Sequence, residues 1–396
     1  MDKIVVNKLY KIFGKNPQRV FRLLKDGKTK DEIYKKTGCT LGVNNASFSV
    51  KAGEIFVIMG LSGSGKSTLV RCLNRLIAPT SGEILLNGED IMKVNKNQLR
   101  EIRRNKFAMV FQHFGLLPHR SVINNVAFGL EIQAVSKAER FASAEKAIEL
   151  VGLAGMENAN INSLSGGMQQ RVGLARAIAA DPEILLMDEA FSALDPLLRT
   201  NMQDELLELQ AQMKKTIIFI SHDLDEALKI GDRIAIMKDG IIEQIDTPEQ
   251  ILINPASDYI RSFIENVDRS KVITARTVMH MPDVIASHKD GPAQAVRHMK
   301  KTGLSTLFVV DENRQLVGVV RIDDAVKLAA NHGNSSLLEI INKDVPTTTA
   351  ETPLVDLLQN ASETAIPIVV LNDKGHVKGI VTRASILAAL AGEDLN

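Results

Sequence analysis

The stretch Gly60-Leu61-Ser62-Gly63-Ser64-Gly65-Lys66-Ser67-Thr68 decides the fold of this chain of 396 residues. It matches the pattern G-x-x-x-x-G-K-[S/T], in which glycines let the backbone turn tightly and bring its N–H groups close to phosphates. A short apolar run over residues 54–59 predicts a buried strand before the loop. Residues 68–76 lack Gly and Pro and predict a helix after it. This context indicates a nucleoside-triphosphate site.

Two side chains of the loop have predictable roles. Lys66 is expected to neutralise the β- and γ-phosphates, and the hydroxyl of Ser67 is expected to hold Mg²⁺. The positive end of the following helix would face the same anion. An ordinary glycine-rich turn is the alternative, but the spacing, the lysine and the flanks all favour the phosphate site. The predicted nucleotide-binding residues are Gly60, Ser62, Gly63, Ser64, Gly65, Lys66, Ser67 and Thr68.

The composition limits the class of protein. Apolar residues make up 45% and charged residues 24% of the chain, as in ordinary soluble proteins, and the length predicts two or three domains. The formal net charge of +1 offers no electrostatic argument for a nucleic-acid partner. Two cysteines without metal-ligand spacing indicate a reducing cytosol. We recognise no signal peptide and no run of 18 apolar residues, so a membrane role would require partner subunits.

Buried strands that alternate with helices predict a parallel α/β core. Ligands of such sheets bind at the carboxyl ends of the strands. Polar residues follow three of the predicted strands, and we expect them to converge at that edge: Gln112, Asp188, Glu189 and His222.

The residue composition and the predicted secondary structure change at several points along the chain. Residues 15–38 are basic with a helical pattern and predict a helical insertion, and a helical subdomain is expected over about 93–180. After a helical tail, two similar stretches indicate an internal duplication. We therefore predict two domains, residues 1–272 and 273–394, the second divided into repeats of about 276–333 and 340–394.

Several ordered motifs make residues 3–265 resemble the ATP-hydrolysing subunit of an ABC transporter. Beyond the phosphate loop and Gln112, these motifs are LSGGMQQ (164–170), ILLMDE (184–189), SALD (192–195) and SH (221–222). The LSGG motif is the family's own marker. The resemblance implies a P-loop NTPase fold of the ABC type with a helical subdomain, and ATP with Mg²⁺ as its ligands.

The resemblance also implies a role for each polar residue. Glu189 would polarise the attacking water as a general base, His222 would fix Glu189 and the γ-phosphate, and Lys66 would assist catalysis. The expected Mg²⁺ ligands are Ser67, Gln112 and Asp188. Gln112 would also transmit changes in the state of the bound nucleotide to the helical region.

A second copy of the chain is implied as a partner. Ser165, Gly166 and Gly167 open a helix whose N-terminus can bind a phosphate, and in the family this phosphate belongs to ATP on the other copy. Two chains would enclose two ATP molecules at their interface, and Asp195 of each chain would contact the other chain across that interface.

An aromatic residue near the N-terminus of the family's domain stacks on adenine. Phe13 resembles this residue, and Tyr10 is the competing candidate. Packing of Phe13 in an ordinary core is the alternative role.

A narrower resemblance is to ATPase subunits of bacterial glycine betaine/proline betaine importers. It rests on the segments 31–43, 54–65, 110–119 and 187–196. It implies permease subunits as partners, fused to or working with a substrate-binding protein, and a peripheral location on the cytoplasmic face of the inner membrane. Two alternatives stay open: an importer for another amine or amino acid, and a soluble ABC-type ATPase that acts on nucleic acid or in translation. The neutral charge argues against the latter.

The C-terminal repeats, about residues 274–394, resemble a tandem pair of CBS domains. Such pairs bind adenine nucleotides through G-h-h-[S/T]-x-x-D, and both copies depart from it: Arg321 replaces the hydroxyl of the first, and Ser385 replaces the aspartate of the second. These departures argue against AMP or ATP as the ligand without excluding them. The other possibilities left open are binding of cyclic di-AMP, a response to ionic strength through a charged membrane surface, and a purely structural role in dimerisation. The predicted regulatory residues are Arg321, Asp324, Ile368, Thr382 and Arg383.

Overall fold

A computed structural model of the chain describes residues 1–111, 115–192, 194–265, 267–282, 285–287, 289–302, 305–330, 336–364 and 366–392. The chain divides into two compact units, Met1–Glu265 and Asn266–Asn396. The sequence predicts this division later, after residue 272. The difference arises because the 3-10 helix Arg269–Lys271 packs on helices of the second unit. Among the described residues, we find no helix with both the length and the apolar character needed to cross a membrane.

The first unit consists of two sheets surrounded by helices. Its strands are β1 (Asp2–Phe13), β2 (Thr40–Lys51), β3 (Ile55–Met59), β4 (Ser81–Leu86), β5 (Glu89–Asp90), β6 (Phe107–Phe111), β7 (Ile184–Asp188), β8 (Thr216–Ser221), β9 (Arg233–Lys238) and β10 (Ile241–Asp246). Its helices are α1 (Pro17–Lys25), α2 (Lys30–Thr37), α3 (Lys66–Leu73), α4 (Lys96–Asn105), α5 (Val122–Val126), α6 (Phe128–Ile132), α7 (Lys137–Leu150), α8 (Gly166–Ala179), α9 (Pro196–Met213), α10 (Leu224–Ile230), α11 (Pro248–Ile253) and α12 (Asp258–Ile264).

The larger sheet positions the candidate site. Its order is β10-β9-β3-β8-β7-β6, and every pairing except β10 with β9 is parallel. All residues of β3, β7 and β8 are buried, which explains their continuous apolar runs. The smaller sheet, β2-β1-β4-β5, is antiparallel throughout, although α1 and α2 lie between β1 and β2 in the chain.

Two regions named from the sequence show different structures. The insertion, residues 15–38, contains α1 and α2. The span predicted as a helical subdomain, about 93–180, contains α4 to α8 but also β6, which pairs with β7 in the larger sheet. This strand is the one predicted before Gln112, so a strand of the larger sheet lies within the span assigned to the helical subdomain.

The second unit contains two copies of one small fold. Its helices are α13 (Ala275–Val278), α14 (Pro292–Thr302), α15 (Ile322–Ala330), α16 (Leu354–Glu363) and α17 (Arg383–Ala391), and its strands are β11 (Ile285–Ser287), β12 (Thr306–Val310), β13 (Leu316–Arg321), β14 (Thr347–Thr349), β15 (Ile368–Leu371) and β16 (Val377–Val381). In both sheets, β11-β12-β13 and β14-β15-β16, the first pairing is parallel and the second antiparallel. This shared topology agrees with the predicted duplication.

Candidate functional site

The loop between β3 and α3 has a backbone that only glycine accommodates at two points. Gly60 has φ +150° and Gly65 has φ +105°. A Cβ atom at Gly60 would lie 2.2 Å from the carbonyl oxygen of Met237, and one at Gly65 would lie 2.2 Å from that of Gly42. Neighbouring backbone therefore holds the loop in the tight curve that phosphate binding requires.

Lys66, the first residue of α3, points its ammonium group into this curve. Nζ donates to the carbonyl oxygens of Gly60 at 2.7 Å and Leu61 at 3.1 Å, and only 5% of the residue is exposed. Burial lowers the pKa of Lys66, while the carboxylates of Glu189 and Asp188 act in the opposite direction. The loop thus contains a cation in a partly desolvated position, where its attraction to a phosphate is strong.

The end of β7 brings oxygen atoms to the start of α3. The Ser67 hydroxyl donates to Asp188 Oδ1 at 2.9 Å, and the Arg71 guanidinium lies 3.1 Å from Oδ2 of the same carboxylate. A hydroxyl beside a carboxylate supplies the hard oxygen ligands that Mg²⁺ prefers, so these residues fit the predicted metal. Sequence reasoning missed Arg71, although its i+4 spacing from Ser67 was the signal that both face the same side of a helix.

Glu189 and His222 follow adjacent parallel strands, β7 and β8. His222 Nδ1 lies 3.5 Å from Glu189 Oε2. Glu189 has φ +50°, a conformation that non-glycine residues rarely adopt and that is enriched at functional sites. The carboxylate, the imidazole and the phosphate loop therefore share the carboxyl edge of the sheet. Gln112, the fourth polar residue predicted there, lies outside the described residues.

The phosphate loop and Glu189 border a cavity of about 320 Å³. Its lining includes Phe13, Lys30, Gly42, most of the phosphate loop and Glu189. Phe13 is 40% exposed, with Lys11 Nζ 4.7 Å from its ring centroid.

The aromatic residue that competes with Phe13 has a different environment. The ring of Tyr10 makes an edge-to-face contact with Phe21 of the insertion, with centroids 5.1 Å apart. Phe13 therefore has the position suited to stacking on a base, whereas the contact of Tyr10 with Phe21 helps to hold the insertion.

The LSGG segment and Asp195 lie away from this cavity. The Ser165 hydroxyl caps α8 by accepting from the Met168 N–H at 3.3 Å, and the Asp195 carboxylate caps α9 through the N–H of Leu198 at 3.0 Å. A Cβ atom at Gly167 would lie 2.4 Å from a methyl carbon of Leu198, whereas Gly166 has open space around it. These residues are absent from the lining of the described cavity.

In the second unit, two of the predicted regulatory residues stabilise helix ends. Arg383 donates to the carbonyl oxygens of Ala361, Ser362 and Thr364, the latter two at 2.9 and 2.8 Å. Thr382 caps α17 and accepts from the Ser385 N–H at 3.1 Å.

The other predicted regulatory residues are more dispersed. Ile368 is buried in β15, Arg321 ends β13, and Asp324 lies in the first turn of α15. A cavity of about 420 Å³ in this unit is lined by other residues, including Lys343 and Thr347.

Comparison with known proteins places these features in a family. The family model for ABC transporters matches residues 43–192, and the model for CBS domains matches residues 275–331 and 337–392. The glycine betaine/carnitine transport ATP-binding protein GbuA of Listeria monocytogenes is 56% identical over 396 residues, which cover 100% of this chain and 99% of that protein. This chain belongs to the ABC transporter ATP-binding subunits. The predicted family, fold and ATPase activity are confirmed.

Other members support the assignment. The glycine betaine transport ATP-binding protein OpuAA of Bacillus subtilis is 53% identical over 392 residues, which cover 99% of this chain and 93% of OpuAA. Among solved structures, a dimeric ABC cassette, MJ0796, in a post-hydrolysis state bound to ADP and Pi is 30% identical, with a TM-score of 0.52. It covers 62% of this chain and 98% of its own length. ATP is thus the nucleotide of the ABC domain.

Proposed function

We propose that ATP hydrolysis by this chain powers a bacterial importer of glycine betaine or a related compatible solute. The observation that carries the proposal is the identity to GbuA and OpuAA along the whole chain, second unit included. An ABC ATPase with another function would be expected to resemble GbuA and OpuAA only in the ABC domain. The transported solute would contact other subunits, so the residues of this chain do not select it.

The proposed hydrolysis uses the groups at the edge of the larger sheet. Glu189 accepts a proton from the attacking water, His222 orients Glu189, and Lys66 neutralises the phosphates. Ser67 and Asp188 hold Mg²⁺, which supplies charge stabilisation on the phosphates when bound. By resemblance, Gln112 is a third metal ligand.

We further propose that two copies close around two ATP molecules. Ser165 to Gly167 at the start of α8 and Asp195 at the start of α9 would face the nucleotide of the other copy. Their separation from the cavity of their own chain supports this role, as does the dimeric form of MJ0796.

The membrane partner is proposed to dock on the helical region. A cavity of about 510 Å³ is lined by apolar and basic residues, including Arg100, Arg103, Arg104, Phe128 and Arg176. This lining suits a short apolar segment that carries an acidic group. Permease subunits would hold the chain at the cytoplasmic face of the inner membrane, and a substrate-binding protein would deliver the solute outside.

The CBS repeats are proposed to regulate this ATPase, with ionic strength or cyclic di-AMP as the input. Deletion of residues 266–396 tests the proposal, because the division between the units lies there. ATP hydrolysis should persist, while its response to salt and to cyclic di-AMP should disappear. A truncated chain that keeps the full response would contradict regulation by the repeats.

Uptake of radiolabelled glycine betaine into cells that express this chain together with candidate permease and substrate-binding subunits tests the main proposal. We expect uptake that depends on Glu189 and is competed by other betaines. Glu208→Gln, an exposed glutamate of α9, serves as the matched control. Transport of another amine, with no uptake of betaine, would contradict the assignment of the solute.

A further inference from the structure

The insertion between β1 and β2 has no role in the function proposed above, yet it has a small core of its own. Val20 of α1 and Ile33 of α2 are buried against Ile12, Cys39 and Leu41. This core holds α2 at a defined place on the first unit, so the side chains of α2 are presented on a rigid element.

The first residue of α2 reaches the phosphate loop. Lys30 Nζ donates to the carbonyl oxygen of Gly63 at 3.0 Å. The start of α2 is well defined, because Thr29 and Glu32 form a reciprocal capping box. Lys30 also lines the same cavity as Phe13 and Lys66. A helix that lies outside the ABC motifs therefore contributes a cation to the nucleotide cavity.

The two groups that Lys30 contacts in this structure attract its ammonium group only weakly. The carboxylate of Asp239 lies 3.9 Å from Nζ, but its side chain is 64% exposed and solvent screens the pair. The other partner, the carbonyl of Gly63, is uncharged. A phosphate oxygen within the cavity is a stronger acceptor for an ammonium group than either of them.

We propose that Lys30 is a nucleotide-binding residue, whose ammonium group supplements Lys66 in neutralising the phosphates of ATP. This inference rests on the proposed ATP site and extends it to the insertion. Because the contact is to phosphate, its contribution should increase with the number of phosphates on the nucleotide. Because it is electrostatic, it should weaken as salt screens the charge.

The test compares the dissociation constants of ATP, ADP and AMP for the full chain, measured by titration calorimetry in EDTA so that no divalent cation supports hydrolysis. Lys30→Met removes the charge and keeps the length of the side chain, and Lys30→Arg keeps the charge. Lys36→Met, an exposed lysine at the other end of the same helix, is the matched control. Thermal unfolding of each variant verifies that the chain is folded.

We expect Lys30→Met to weaken ATP binding by roughly tenfold, the size of one charge-assisted contact, and AMP binding by much less. Lys30→Arg and Lys36→Met should bind ATP within about threefold of the parent chain, and Lys30→Met should show a smaller salt dependence. Equal ATP affinity in Lys30→Met and the parent, or an equal loss for AMP and ATP, would overturn the role of Lys30. A parent chain that binds no ATP in EDTA and none with Mg²⁺ present would instead overturn the ATP site on which this inference rests.

Discussion

The phosphate loop matches a nucleotide-binding motif, and the end of the second CBS repeat nearly matches one. The side chains of the two segments nevertheless make different kinds of contact. In the loop, Lys66 and Ser67 face a cavity and the carboxylates of neighbouring strands. In the repeat, Thr382 caps α17 and Arg383 binds the carbonyl oxygens at the end of α16. A motif therefore indicates a ligand site only where the fold places its polar groups on the lining of a cavity.

The physical reason is how the backbone polar groups are satisfied. Helix ends leave N–H and C=O groups without partners, and nearby side chains bind them readily. A glycine-rich turn of the phosphate-loop type can instead present successive backbone N–H groups to an anion. The following predictions test this contrast between the two regions, from the largest expected effect to the smallest.

The largest effect is expected at Glu189. Glu189→Gln keeps the shape of the side chain but removes the proton acceptor, so ATP hydrolysis should fall by about 10²–10⁴-fold while ATP still binds and closes the dimer. Phosphate release and size-exclusion chromatography with ATP measure the two properties. Hydrolysis close to the parent rate would exclude Glu189 as the general base.

The next effect concerns the backbone of the loop. In Gly65→Ala, a Cβ atom would lie 2.2 Å from the carbonyl oxygen of Gly42, so the loop must shift and ATP affinity should fall by roughly 100-fold, about 3 kcal/mol. Gly27→Ala is the control, because Gly27 also has positive φ but has no atoms within 4 Å. If both variants bind ATP equally well, the tight curve of the loop is not what holds the nucleotide.

A pH-dependent effect is expected at Glu183, in the first unit but away from the ATP cavity. Burial would raise its pKa, but hydrogen bonds from Lys106, Lys3 and Asn87 outweigh burial and lower the pKa to about 2. Because the pKa is lower in the folded state, this stabilisation is present above about pH 4.5 and is lost as the pH falls towards 2.

Glu183→Gln should therefore lower the free energy of unfolding by about 1–2 kcal/mol at neutral pH. Its melting temperature and that of the parent should converge as the pH falls below 4.5. A difference in melting temperature that stays constant with pH would contradict the electrostatic origin.

The smallest effect is expected at Arg383, which belongs to the second CBS repeat. Arg383→Ala removes three contacts to carbonyl oxygens and should destabilise the second unit by about 1 kcal/mol, with ATP hydrolysis unchanged. Arg297→Ala, at an exposed position of α14, is the matched control. Loss of cyclic di-AMP binding with no change in stability would show that Arg383 is a ligand residue instead.

Much of this protein was predictable from local sequence. The loop pattern, the buried apolar runs and the polar residues after them predicted a parallel α/β core with a nucleotide site, because parallel strands place their carboxyl ends at one edge. The ABC type of that fold came from the resemblance of the ordered motifs, LSGG above all, to the family. The helical pattern of residues 15–38 and the duplication of the C-terminal region were also visible, since hydrophobic periodicity records local structure.

What the sequence alone determined is the set of chemical groups expected at the ATP site and the position of the predicted strands along the chain. Only the tertiary structure decided which groups from distant segments approach one another. Lys30 against Gly63, Arg71 against Asp188, and Arg383 against the end of α16 depend on side-chain packing between separate elements. A motif records neighbours along the chain, whereas these contacts arise from burial and the satisfaction of polar groups in three dimensions.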